Sequence, residues 1–282
     1  MREEKKIHPK KFYDQEAADY IHMYEKDYIP YPANAIRLDL VLKRLEELKT
    51  KTVLDAGCGT CGPMIRLLQN GLDCKGFDYS EEMVFHGKKE LEKNGFDPNL
   101  IFVGDLEKGI KLENEKFDSV LALGVFPHIP DELKALNNMN KLLNENGKVF
   151  IEFRNDLFST FTFNVYTVEF YLKRVLDFES IPKNLKNKVS NFFKEVCKTT
   201  NQDTPKYFTK FNNPLTISKD LFKPAGFKID DMSFYHYHAL PPIFETIEPK
   251  IFKELSLKME NPHDWRGYLM ASAFVIEASK IE

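Results

Sequence analysis

Along residues 35–49 the apolar positions Ile36, Leu38, Val41, Leu42, Leu45 and Leu48 recur at helical spacing behind Pro32, with Asn34 as the expected N-cap. A short β-rich run, Thr52–Asp55, follows, then a glycine loop and a second helical stretch over 63–70. Cys74–Asp78 reads as a buried strand, and Ser80-Glu81-Glu82 opens a helix that Asn94-Gly95 closes. Leu100–Val103 and Phe117–Leu123 read as further strands. Asp131 caps a helix with Leu133, Leu136, Met139, Leu142 and Leu143 expected inward, stopped by Asn146-Gly147 before the strand Lys148–Phe153. Strands alternating with helices in this way predict βαβ units and a parallel sheet covered on both faces.

After Arg154 the rhythm breaks. Residues 156–211 read as mainly helical, and Phe227–Tyr237 and Ala271–Ala278 as two late strands that complete one edge of the sheet. The pattern thus predicts one α/β domain with an insertion, divided at 1–33 (an N-terminal cap), 34–155 (the core), 156–215 (a helical, aromatic-rich lid) and 216–282 (completion of the sheet).

Composition narrows the class of function. The 40 Lys+Arg stand against 43 Asp+Glu, so there is no basic surplus with which to neutralise phosphates, and no nucleic-acid partner is expected. No run approaches the ~20 apolar residues of a membrane span, and the N-terminus lacks the apolar stretch of a secretory signal. A cytoplasmic location is therefore expected. The four cysteines, Cys58, Cys61, Cys74 and Cys197, do not make a disulfide framework in a chain of 282 residues. Cys58 and Cys61 form a C-x-x-C that could be redox-active or metal-binding, but it lies in a glycine loop and no second pair follows at zinc spacing; no metal is expected. The aromatic residues are unevenly spread: six lie in 12–31 and twelve in 156–211, against nine in the whole of 32–155.

The chemistry is concentrated at the strand ends. Residues 57–62 are Gly-Cys-Gly-Thr-Cys-Gly, a G-x-G-x-x-G between strand and helix, which alone would equally suit a dinucleotide. Asp78, closing the second strand, is placed to accept from ribose hydroxyls in either case. Asp55 separates the two readings, because it stands where a dinucleotide would put its pyrophosphate. A carboxylate beside a dianion is repelled by about 1 kcal/mol even in water at 4 Å, whereas a cofactor ending in an ammonium group is attracted. Asp105, after the third strand, could accept from an adenine amino group. An adenosine with a cationic amino-acid tail is S-adenosylmethionine.

These residues resemble class I S-adenosylmethionine-dependent methyltransferases of the small-molecule type. Val53-Leu54-Asp55-Ala56-Gly57-Cys58-Gly59-Thr60 resembles the first motif of that family, Phe77-Asp78-Tyr79-Ser80-Glu81-Glu82-Met83 the ribose-binding segment, and Gly104-Asp105-Leu106 the adenine-binding one. Phe117–Ala122 resembles the fourth-strand motif, and Lys141–Val149 the passage from helix to strand five. Cys61 stands where many members have glycine. The resemblance implies a Rossmann-like, doubly wound α/β fold: a seven-stranded, mostly parallel sheet with a helical insertion after strand 5 and an N-terminal helical cap. It also implies that Asp55, Gly57, Gly59, Asp78, Tyr79, Asp105, Leu106, Leu123 and Tyr20 bind the cofactor.

The methyl acceptor is less legible. In open α/β sheets the reactive crevice lies at the carboxyl ends of the strands, which brings His128, in the loop after strand four, beside the expected methyl position as candidate base or as a brace for that loop. Glu152, Arg154 and Asn155 at the end of strand five, His236 and His238 on one face of strand six (with Tyr235 and Tyr237 on the other), and Tyr13 of the N-terminal segment are candidate substrate contacts. A two-histidine metal site lacks a third ligand. Neither the cysteine nucleophile of pyrimidine-carbon methylation nor the Asn/Asp-Pro-Pro-aromatic signature of adenine amino methylation is present. The expected reaction is methylation of O or N on a small molecule, with a sugar or nucleotide-linked metabolite as a candidate class. RNA or protein methylation, or a non-catalytic binding subunit, is the alternative.

Overall fold

The computed structural model describes residues 31–110, 112, 115–177, 179–197 and 209–281. Its centre is a seven-stranded sheet, built from β1 (Thr52–Ala56), β2 (Asp73–Asp78), β3 (Ile101–Val103), β4 (Phe117–Ala122), β5 (Leu143–Arg154), β6 (Phe227–Tyr237) and β7 (Ala271–Lys280) in the order β3-β2-β1-β4-β5-β7-β6. Strands β1 to β5 pair in parallel, and β7 runs antiparallel between β5 and β6. This is the doubly wound, Rossmann-like α/β fold expected. The order reverses between β1 and β4, so the carboxyl ends of those strands open a crevice at the switch point.

Both faces of the sheet are buried, which is why its strands read as nearly continuous apolar runs. On one face Leu54, Ala56, Val120, Ala122, Val149 and Ile151 pack against Ala135, Leu136 and Met139 of α4 (Glu132–Leu142). On the other, Val53, Leu121, Phe150 and Val275 meet Leu38, Val41 and Leu45 of α1 (Ala33–Glu47) and Met64 of α2 (Gly62–Gln69). The helix α3 (Glu81–Lys93) is capped by Ser80, whose hydroxyl accepts from the Met83 amide at 3.0 Å.

Several local expectations change. Helix α1 begins at Ala33 behind Pro32, with no side-chain cap, so Asn34 lies inside the first turn; the proline ring already holds a φ near −79° at the cap position. Leu133 is exposed at the start of α4, and Leu143 is the first residue of β5, not part of the helix. There Phe117 pairs with Leu143 and Ser119 with Lys148, so the stretch containing Asn146-Gly147 bulges from the strand in place of a turn before it. The segment after β5 is helical, with a short 3-10 turn at Leu157–Thr160, α5 (Val165–Phe170), a π turn at Tyr171–Val175 and α6 (Lys183–Val196). Beyond β6 come the short helices α7 (Ile243–Ile247), α8 (Pro249–Met259) and α9 (Gly267–Met270).

Candidate active site

At the carboxyl end of β1 the chain turns through Gly57 (φ 85°) and Gly59 (φ 52°), and Cys61 also takes a left-handed φ of 67°. The amides of Gly57 and Cys58 donate to the Phe77 carbonyl at 2.7 and 3.0 Å, which ties this loop to the end of β2. A Cβ on Gly57 would sit inside the Val125 side chain, so the first and fourth strand loops meet at a point only a glycine allows. The thiols of Cys58 and Cys61 are buried and reduced. A hydrogen bond to Cys61, and then burial, push the Cys58 thiol up, and buried thiols of that kind are unreactive.

Asp78 closes β2 with both oxygens engaged: Oδ2 accepts from the Gly59 amide at 3.0 Å and Oδ1 from the Ser80 amide at 2.9 Å. A carboxylate has about four acceptor positions, so these bonds fix its orientation and leave capacity for a ligand. Tyr79 follows it directly. Asp105 turns its Oδ1 back to the amides of Glu107 (2.9 Å) and Lys108 (3.4 Å), organising the loop after β3. Leu106 is buried beside it, and Leu123 is buried at the end of β4.

Asp55 has a different environment. Its side chain is 2% exposed, and Oδ2 has no hydrogen-bond partner among the described residues. Burial, then the neighbouring Asp78, pushes its carboxyl up to about 7, against a smaller opposing pull from Arg37. A buried, orphaned carboxyl at the mouth of a glycine loop is the position that a ligand's ammonium group would satisfy.

Next to it lies a cluster that the sequence pattern did not disclose. Arg37, 3% exposed on α1, is hydrogen-bonded to Glu152 of β5, 2% exposed. Burial would raise the Glu152 carboxyl, but Arg37, Arg154 and a hydrogen bond from Tyr235 together hold it below its usual value. Glu152 is thus an internal counter-ion held between three elements. The available signal was an arginine on the apolar stripe of α1, between Ala35 and Leu38. Gly124, in the loop after β4, sits against this pair, with Glu152 Oε2 3.7 Å from where its Cβ would be.

Asn155 also departs from its expected role. It is fully buried, its amide donates to the carbonyls of Gly267, Tyr268 and Ala271 at 3.1, 3.0 and 2.8 Å, and its Oδ1 accepts from the Leu157 amide. Its polar atoms bind backbone and close the end of β5 against α9, so it does not face a substrate. His128 lies half-buried in a 3-10 turn, Phe126–His128, held by its amide to the Val125 carbonyl. Lys210 and Asn212 cross this loop, Lys210 donating to Pro127 and Pro130 and Asn212 to Glu132 and Arg154.

At the end of β6, His236 adopts φ 59°, a left-handed conformation uncommon outside glycine. The Glu260 carboxylate accepts from the amides of His236 and Tyr237 and from the Tyr31 hydroxyl, which fixes this turn of the strand. The strand's alternation breaks there: Tyr235 packs with the α1 face, whereas Tyr237 packs with the opposite cluster, so the two tyrosines do not share a face. The imidazoles of His236 and His238 lie 4.8 Å apart. Tyr13 and Tyr20 lie outside the described residues. Among the described residues no group of three His, Cys, Asp or Glu is placed to hold a metal ion, and no helix is long and apolar enough to cross a membrane.

Comparison with known proteins identifies the family. The family described as "Methyltransferase domain" matches residues 47–213, more than half of the chain. Among curated relatives, a "Ubiquinone biosynthesis O-methyltransferase" of Actinobacillus pleuropneumoniae is 27% identical over 143 residues, half of this chain and 61% of the relative. One of the same description from Coxiella burnetii is 23% identical over 212 residues, 75% of this chain and 78% of the relative. The matched part therefore spans less than two thirds of the first of these and more of the second. Among solved structures, the magnesium protoporphyrin IX methyltransferase of Synechocystis PCC 6803, crystallised with S-adenosylhomocysteine, superposes with a TM-score of 0.57 at 15% identity, covering 96% of this chain and 97% of that one. At that identity the likeness is one of fold.

Proposed function

The chain belongs to the methyltransferase-domain family, and from that premise we propose that it transfers a methyl group from S-adenosylmethionine to an oxygen or nitrogen of a small molecule. The observation that carries the reading is Asp55, a buried carboxyl with an unpartnered oxygen beside a glycine loop. The cofactor's ammonium group satisfies it, and a pyrophosphate in the same place would not.

The surrounding residues fit the rest of that molecule. Gly57 and Gly59 let the backbone approach its amino-acid end. Asp78, oriented by the Gly59 and Ser80 amides, holds the ribose hydroxyls. Tyr79, Asp105 and Leu106 take the adenine, and Leu123 closes the floor of the site. Tyr20, outside the described residues, is a further candidate contact from the N-terminal segment. When bound, S-adenosylmethionine supplies a methyl group on a positively charged sulfur. The protein's remaining tasks are to hold the acceptor in line, exclude water and take the acceptor's proton. His128, in the loop after β4, is the candidate base. We place the protein in the cytosol, with a small-molecule acceptor and no nucleic-acid partner.

Calorimetry with S-adenosylhomocysteine tests the cofactor assignment. The intact chain is expected to bind it, and Asp78→Ala to weaken binding sharply. Absence of binding by the intact chain would refute the reading. His128→Ala should lower turnover of a methyl-transfer assay while leaving cofactor affinity within about twofold; loss of cofactor binding would instead give His128 a structural role.

A further inference from the structure

The insertion after β5 carries a helix whose apolar stripe is left in solvent. None of the 14 residues of α6 (Lys183–Val196) is buried, and the helix leans on the body through Phe193, whose ring stacks on Tyr171 with centroids 5.2 Å apart. Leu185, Val189, Phe192 and Val196 follow one another at helical spacing, so at 3.6 residues per turn they fall within about 60° of arc. Leu185, Phe192 and Val196 are 41%, 59% and 58% exposed, although a face of this kind ordinarily packs on a core. Lys186 and Lys188 flank the stripe, and Lys183 and Lys194 lie on the far side of the helix. Charge here runs against the rest of the chain: from 173 to 196 six basic side chains stand against three acidic ones, whereas the whole chain carries −3. Elsewhere in the insertion Phe163 and Val175 are each 53% exposed, Phe163 at a left-handed φ of 50°.

We propose that α6 is a docking surface for a membrane, lying flat on an anionic lipid bilayer with its apolar stripe at the acyl boundary and its lysines among the phosphates. The contact is peripheral and independent of the methyl-transfer reading. Fourteen residues reach about 21 Å, short of the ~30 Å hydrocarbon core. Leucine, phenylalanine and valine on one face with lysines on the rest is the pattern of a helix that lies in the interface. The long lysine stems can follow the apolar surface while their ammonium groups reach the lipid phosphates. Other occupants fit this face worse. A second copy docked about a two-fold axis would set lysines against lysines. A nucleic-acid strand would satisfy the lysines and leave Leu185 and Val196 against phosphates and water. A groove on an acidic protein matches one fixed row of anchors, whereas a fluid bilayer also takes Phe163 and Val175, which lie off the helix.

The test is flotation of the full chain with vesicles of phosphatidylcholine and phosphatidylglycerol in equal parts, against vesicles of phosphatidylcholine alone. The anionic vesicles should carry the protein, and the neutral ones should bind it roughly tenfold more weakly, a difference that shrinks at high salt. Phe192→Ser/Val196→Ser should weaken binding to the anionic vesicles by roughly tenfold or more, and Lys183→Gln/Lys188→Gln by a similar factor. Both variants should keep the parent's melting temperature, because the replaced side chains are exposed. The chain has one tryptophan, so Phe192→Trp in a Trp265→Phe background puts the sole indole on the stripe. Its emission should move to the blue with anionic vesicles and be quenched by lipids brominated in their acyl chains. Failure to bind anionic vesicles, binding unaltered in Phe192→Ser/Val196→Ser, or an unmoved emission would overturn the proposal. So would a dimer of the parent chain that Phe192→Ser/Val196→Ser dissociates, or single-stranded RNA that displaces the vesicles, since either gives the face to another occupant.

Discussion

On the proposed function, cofactor binding and loss of the Asp55 proton are one event. In the free protein its carboxyl is raised to about 7 from an ordinary 3.8, mainly by burial and then by Asp78. The groups facing it are Asp78 on β2, Arg37 on α1, and the buried thiols of Cys58 and Cys74, both of which feel its charge. Below pH 7 the free site therefore holds a proton that must leave when an ammonium group arrives. Each pH unit below about 7 should weaken cofactor affinity by about tenfold, or about 1.4 kcal/mol, levelling off above it. Calorimetry of S-adenosylhomocysteine binding in two buffers of different ionisation enthalpy measures the protons released. Release should approach one per site at pH 6, be about one half at pH 7, and be small at pH 8. In Asp55→Asn the release attributable to this site should vanish.

The same shift makes a prediction about stability, with the opposite appearance. A carboxyl raised in the folded state binds a proton that the unfolded chain has already lost, so stability of the free protein falls as pH rises between about 4 and 7. The difference of about three pK units corresponds to about 4 kcal/mol across that window. Above pH 7 Asp55→Asn should be more stable than the parent without cofactor and bind cofactor worse, as expected for stability exchanged for function. Proton release of zero from pH 6 to 8, or release unchanged in Asp55→Asn, would refute the account of Asp55.

Other substitutions separate binding from architecture. Arg37→Met removes the arginine hydrogen-bonded to buried Glu152, leaving Arg154 and Tyr235 to hold its charge, and should cost up to about 3–5 kcal/mol in denaturant unfolding; the double variant Arg37→Met/Glu152→Gln should recover much of it. Gly57→Ala should abolish cofactor binding, because the new Cβ enters Val125. Gly57→Ala/Val125→Ala should restore part of the affinity but retain about 1–2 kcal/mol of backbone strain at φ 85°, read from binding and melting together. Asn155→Ala strips partners from three carbonyls and one amide and should destabilise by several kcal/mol, with the KM of the folded fraction unchanged.

What was legible in the sequence follows from how far each interaction reaches along the chain. The glycine loop, Asp55, Asp78 and the Ser80 cap lie within a few residues of the turns they govern, so residue type and spacing expose them. The doubly wound order also follows from local alternation, since a parallel sheet needs covering helices and each helix is written beside its strand. The Arg37–Glu152 pair joins positions 115 apart, and neither residue's neighbours announce the other. Asn155 looked functional because it is polar and sits at the crevice edge, yet its partners come from residues 267–271, where no sequence pattern marks a need for a capping amide. His236 shows the same limit in backbone form. Strict alternation put Tyr235 and Tyr237 on one face, but Glu260 captures two consecutive amides and turns the strand at a left-handed residue. That turn brings the two imidazoles within 4.8 Å of each other and beside the rings of Tyr31, Phe158 and Phe252. The loops proposed to hold the cofactor are thus encoded locally, each following its strand, whereas the Arg37–Glu152 pair and the two imidazoles with their ring neighbours are assembled from α1, β5, β6, α8 and the insertion.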